Sequence, residues 1–189
     1  MRRSWWLGMA AIVWFAATAS AAMAAESNES IARDTPRAPR LIAYLLDRDA
    51  PLPAIDAGKL DTVVYSFAVV DADHRVHLPR AGMAERLTQL AERRDGAPRA
   101  DVLLAIGGWG ADHFSEAAAT RDARRTFADT AVALVRTHDL DGLDIDWEYP
   151  ALPGPGISHS AADRDTFPLL LQALREALDA LSAQTGRRY

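Results

Sequence analysis

The segment Asp141-Gly-Leu-Asp144-Ile-Asp146-Trp-Glu148-Tyr-Pro150 is where this chain's side chains could do chemistry. On an extended strand, residues two apart share a face. Asp144, Asp146 and Glu148 then form one row, about 6.6 Å per step along the backbone. Ile145 and Trp147 face the other way, toward covering helices. Asp141 is out of phase and belongs at the strand entrance. Carboxylates this close cannot all ionise comfortably, so the row should hold a shared proton and titrate as a unit. Such coupling raises a carboxyl toward the range useful to a general acid. Glu148, nearest the carboxyl end of the strand, is the natural proton donor, because parallel α/β architectures bind substrates at that mouth.

Two other readings of the row stand beside this one. It could be a structural acidic cluster bridged by arginines or water. It could also be a magnesium or calcium site, since hard cations take oxygen ligands. No histidine follows the row on its own face, and we assign no metal ligand and no cofactor.

A row of this kind needs a sheet to hold it. Leu41–Leu46, Thr62–Val70 and Asp101–Ile106 are nearly continuous apolar runs, as expected of parallel strands covered on both faces. Gly142–Trp147 is the fourth strand. Helical spacing recurs between them, at Met83, Leu87, Leu90 and Ala91, and at Phe127, Ala131, Leu134 and Val135. The clearest stripe is Phe167, Leu170, Leu171, Leu174, Leu178 and Leu181. Asp163 or Asp165 is expected to cap that helix, with Pro168 in its first turn and Gly186 at its end. The stretch from Pro51 to Lys59 is too broken for a helix. Alternating strand and helix imply a parallel sheet with right-handed crossovers. Periodicity alone does not separate an open sheet from a barrel, but no glycine-rich nucleotide loop is present.

The chain has 189 residues and no cysteine, with 21 basic against 26 acidic side chains. This excludes disulfides and thiolate chemistry, and a net charge of −5 gives no basic stripe for nucleic acid. Arg2 and Arg3, the apolar run Trp5–Ala17 and the small residues Ala22-Met23-Ala24 have the layout of a secretory signal peptide. The expected organisation is a signal over residues 1–24, a flexible lead-in over 25–39 and a catalytic body over 40–189. Cleavage would leave the protein secreted or periplasmic, without stable membrane insertion.

The acidic segment resembles the D-x-x-D-x-D-x-E signature of glycoside hydrolase family 18, the chitinase-like enzymes. Ala105-Ile-Gly107-Gly108-Trp109 is similar to the family's S-x-G-G-W segment on the third strand. Tyr65-Ser-Phe67-Ala68 resembles its second strand, and Tyr44 matches an aromatic on the first. The resemblance implies an α/β fold, a (β/α)8 TIM barrel of which this chain covers about the first four βα units. That barrel usually needs about 250 residues. The chain is therefore expected to be the N-terminal half of a catalytic barrel.

The implied reaction is substrate-assisted hydrolysis of β-1,4-linked N-acetylglucosamine polymers, an exception to the two-carboxylate scheme. Glu148 would protonate the glycosidic oxygen, and the substrate's acetamido oxygen would attack the anomeric carbon. Asp146 would orient the acetamido group, Asp144 would share its proton, and Glu148 would then deprotonate water. Where the family usually has serine, this chain has Ala105, so Tyr44 or a water must serve Asp144. Tyr44, Phe67, Gly108 and Trp109 are the candidate substrate-binding residues. Trp109 could be a sugar platform or pack over the third helix. Phe67 could line the site or be core, and Trp147 reads as core. The alternatives are a non-catalytic chitin- or glycan-binding protein on the same fold and an endo-β-N-acetylglucosaminidase. A metal-dependent hydrolase would instead be sensitive to a chelator.

Overall fold

A computed structural model describes residues 38–48, 50–53, 59–93 and 100–189. The segment read as a signal and most of the lead-in lie outside the described residues, as does residues 54–58 of the broken stretch. Residues 40–189 form one compact unit. The strands are β1 (Ile42–Leu46), β2 (Thr62–Val70), β3 (Val76–His77), β4 (Asp101–Gly107) and β5 (Gly142–Asp146). The helices are α1 (Met83–Arg93), α2 (Phe114–Ala119), α3 (Arg121–Thr137) and α4 (Asp163–Thr185).

β1, β2, β4 and β5 pair in that order and are all parallel. The expected four parallel strands are present in their expected order. β3 is an addition: Asp71 accepts from the backbone N–H groups of Asp73 and Arg75, closing a turn that folds β3 back on β2. The short helix α2, with four alanine and serine residues around Phe114 and Glu116, is also new relative to the periodic patterns.

Alternation sorts the strands into two faces. Val63, Tyr65, Val102, Leu104 and Ile106 turn to the helices and form one core with Met83 and Leu87 of α1, Phe127, Ala131 and Val135 of α3, and Leu170, Leu174 and Leu178 of α4. The opposite face carries a row in register: Leu46, Ser66, Ala105 and Asp144 stand on neighbouring strands. Full cover on both faces does not hold for β1. Ile42, Tyr44 and Leu46 are exposed, because the described helices cover one face and β1 pairs on one side.

The start of α4 also departs from expectation. Its N-cap is Ala162, in right-handed helical conformation, with no side-chain cap. Asp163 is instead the first helical residue, fully buried, and its carboxylate accepts from the Ser115 hydroxyl and the Ala151 and Ser160 N–H groups. Pro168 therefore falls in the second turn rather than the first, where its missing N–H leaves one intrahelical bond unmade. Gly186 ends the helix in left-handed conformation, as the sequence predicts.

Candidate active site

The end of β5 is mounted by alternation. Trp147 is buried, stacked on Phe114 at 5.4 Å between ring centroids and edge-on to Phe167 at 5.3 Å. That apolar anchor is the core role read for it. It also turns Asp146 and Glu148, its neighbours on either side, away from the helix layer. Asp144 and Asp146 lie on β5, while Glu148 sits two residues beyond its last paired residue. All three are half-buried.

Tyr44 reaches across from β1 and donates its hydroxyl to Asp144 Oδ2 at 3.3 Å. Burial and the Asp144 carboxylate raise its phenol above the ordinary value. Burial, followed by the charges of Glu148 and Asp144, raises the Asp146 carboxyl. Asp146 is thus pushed toward the protonated form. Glu148 acts next on Tyr149, whose phenol is raised by the Glu148 carboxylate as hydrogen-bond acceptor and as charge.

The two glycines at the end of β4 have separate reasons. At Gly107, with φ +124°, a Cβ would lie 2.1 Å from the Asp146 carbonyl oxygen. Only glycine lets β4 pass this close to the strand that carries the row. The Gly108 N–H then donates to the same oxygen at 2.9 Å. A Cβ on Gly108 would meet three Phe67 ring carbons at 3.1 Å, so the half-buried Phe67 ring lies directly against this backbone.

Trp109 is 70% exposed and makes an edge-on pair with Tyr149, with centroids 6.4 Å apart. It does not pack into the helix layer among the described residues. The structure therefore brings Tyr44, Asp144 and Asp146 together, sets Glu148 beyond them, and places Phe67, Gly108 and Trp109 on the β2 and β4 ends.

Three features escaped the sequence reading. Tyr149 stands inside the acidic motif, so its signal was adjacency to Glu148. The Ser66 hydroxyl is buried beside Ala105. Asp47, just past β1, is 3% exposed and accepts from Arg86 at 2.7 and 3.0 Å, from Arg80 at 2.7 Å and from the Tyr65 hydroxyl. Those partners hold its carboxyl below the usual range despite its burial. Among the described residues, Asp112, His113 and Glu116 are the side chains whose ligand atoms all lie within 4.8 Å of one another; the row is not such a group. Asp112 is occupied by the Ser158 N–H and hydroxyl.

Comparison with known proteins gives these features a family. The model of the glycosyl hydrolases family 18 matches residues 32–189. Chitinase A1 of Niallia circulans is 38% identical over 139 residues, which is 72% of this chain and 18% of that protein. A putative chitinase of Margaritifera margaritifera is 32% identical over 66% of this chain and 27% of its own length. The chain thus spans less than a third of these curated relatives. Among solved structures, a family 18 N-acetylglucosaminidase of Paenibacillus barengoltzii superposes with a TM-score of 0.72 at 38% identity, over 80% of this chain and 44% of its own. The chitinase domain of the Clostridium difficile spore coat protein CotE gives 0.68 at 36% identity, over 76% and 40%. The fold is α/β, and the described strands make up part of a TIM barrel. On its family match and its relatives, the chain belongs to glycosyl hydrolase family 18.

Proposed function

We propose that the chain carries the acid–base part of an exported glycosidase that hydrolyses β-1,4-linked N-acetylglucosamine polymers with retention of configuration. The observation that carries this is the row itself: two carboxylates on β5 with the Asp146 carboxyl raised, and Glu148 beyond them at the strand mouth. Glu148 protonates the glycosidic oxygen while the substrate's acetamido oxygen attacks the anomeric carbon. Asp146 accepts the acetamido N–H on a carboxyl oxygen and so orients that group, while its own proton is shared with Asp144. As positive charge develops on the oxazolinium ring, the proton passes toward Asp144, leaving a carboxylate beside the charge. Glu148, now ionised, takes a proton from the water that opens the ring.

Trp109 with Tyr149 offers an apolar face to a pyranose ring, and Phe67 over Gly108 lines the adjoining floor. Tyr44 holds Asp144. Residues 1–24 act as the export signal, 25–39 as a lead-in and 40–189 as the first half of the catalytic barrel. The names of the relatives support a chitin-like substrate, since they are chitinases and an N-acetylglucosaminidase.

The test is release of fluorophore from a fluorogenic chitooligosaccharide by an active form that carries the whole barrel and by its Glu148→Gln variant. The substitution should lower the rate by at least about 100-fold. An unchanged rate refutes the acid assignment. Binding of the oligosaccharide without hydrolysis by a form that carries the whole barrel favours a non-catalytic glycan-binding role.

A further inference from the structure

Two loops meet beside the acidic row, and one side chain joins them. The loop after β4, residues 108–113, carries Trp109, and the loop that leaves Glu148, residues 149–162, carries Tyr149. Asp112 Oδ1 accepts from the Ser158 N–H at 2.8 Å and lies 2.9 Å from the Ser158 hydroxyl. It also accepts from the His113 N–H at 2.7 Å. Burial alone would raise the Asp112 carboxyl, yet these donors hold it below its usual range, so the acceptor is ionised. The Ser158 hydroxyl stands 2.7 Å from Glu116 Oε2 as well. One hydroxyl proton cannot serve two carboxylates at once, so the backbone N–H is the constant bond of the join.

The Trp109 segment is short and fixed at both ends. The Ala111 N–H donates to the Gly108 carbonyl at 3.0 Å, which makes Trp109 and Gly110 the central pair of a turn. Gly110 has φ +79°, the sign that favours glycine at this place in a turn. Before the turn, the Gly108 N–H is bonded to the Asp146 carbonyl. After it comes Asp112, bonded across to Ser158. His113 follows at φ 70°, a left-handed conformation that costs a residue with a Cβ, and its N–H is held by the same carboxylate oxygen. The Trp109 ring is 70% exposed and meets Tyr149 only edge-on at 6.4 Å, so the backbone beneath it sets its place.

We propose that Asp112 is a positioning residue for glycan binding: its bond to the Ser158 N–H latches the Trp109 turn to the Tyr149 loop and holds the two rings as one face. This rests on the pyranose-stacking role proposed for Trp109. Asp112 itself does not touch the sugar. Without the latch the turn swings about the end of β4, and part of the binding free energy is used to order the ring again.

A double-mutant cycle in a form that carries the whole barrel tests this, with Kd for a chitooligosaccharide from calorimetric titration and kcat from its hydrolysis. Asp112→Ala should weaken binding about threefold to tenfold and leave kcat within about twofold. In the Trp109→Ala background the same substitution should change Kd by less than about twofold, because the ring it positions is gone. Asp112→Asn, which keeps the acceptor oxygen, should recover most of the affinity. Equal losses with and without Trp109, or a folded Asp112→Ala variant that binds like the wild type, would overturn the positioning role. Amide exchange at Ser158 in the wild type needs no substitution and carries the test if Asp112→Ala fails to fold. It should be at least about tenfold slower than in an unstructured peptide, and slower again with the oligosaccharide bound. Exchange at the peptide rate, or unchanged by the sugar, would overturn the latch. A Trp109→Ala variant that binds like the wild type would overturn the stacking reading, and the role of Asp112 with it. Absence of hydrolysis with the cycle intact would overturn the reaction but not the latch.

Discussion

Gly107→Ala isolates the closest contact in the site. The added Cβ would lie 2.1 Å from the Asp146 carbonyl oxygen and 2.7 Å from its carbon. Ordinary van der Waals contact needs roughly 1 Å more, and both partners are backbone, so no rotamer change relieves the clash. The φ of +124° adds strain of about 1–3 kcal/mol for any residue with a Cβ. Moving β4 away from β5 also breaks the Gly108 N–H bond to Asp146, worth about 0.5–1.5 kcal/mol. The expected loss is about 2–5 kcal/mol, a large share of ordinary domain stability. Gly108→Ala is the control. It meets the Phe67 ring at 3.1 Å, and a ring can tilt, so it should cost clearly less despite its own positive φ of +91°. Urea unfolding of the two variants measures the difference. Where Gly107→Ala still folds, a shift of about 1 Å at Asp146 should cost about 100-fold in hydrolysis. Equal stabilities for the two variants would refute the reading of the β4–β5 approach.

Two further expectations separate chemistry from packing. Asp146→Asn should raise stability at pH 7 and leave it unchanged below about pH 4, by pH-dependent thermal melts. The sign follows from the raised carboxyl: its contribution is full below the unfolded value and is lost as pH rises through the folded value. A stability difference independent of pH would remove the electrostatic cause. Trp109→Ala should weaken oligosaccharide binding about tenfold with little change in stability, whereas Trp147→Ala should cost about 3–5 kcal/mol. Calorimetric titration and melting of both variants check the contrast, and a stability loss at Trp109 as large as at Trp147 would rule out the platform.

Local periodicity made much of this architecture legible. A period of two puts Asp144 and Asp146 opposite Ile145 and Trp147, because one slip would reverse every side chain. The α4 stripe was equally plain apart from Leu171, which is exposed and lies beside the buried line of Leu170, Leu174, Leu178 and Leu181. What stayed hidden depends on partners distant in sequence. Asp47 and Arg86 lie on opposite sides of β2, and no period links them. Asp163 looked like a cap because acids often open helices, yet tertiary donors from Ser115 and Ala151 claim it. The β1 run looked doubly covered because apolar content cannot say which face meets a neighbour.

Asp163 has a consequence beyond helix initiation. By gathering the Ala151 N–H and the Ser160 N–H onto one buried carboxylate, it ties both ends of the loop that leaves the Glu148 segment. Gly154 fills the near side, where a Cβ would crowd Ile157 and the Glu148 carbonyl, whereas nothing lies within 4 Å at Gly156. The loop is therefore closed like a buckled strap with a free tip. Length can be added at Gly156 while the acid at its root keeps its place.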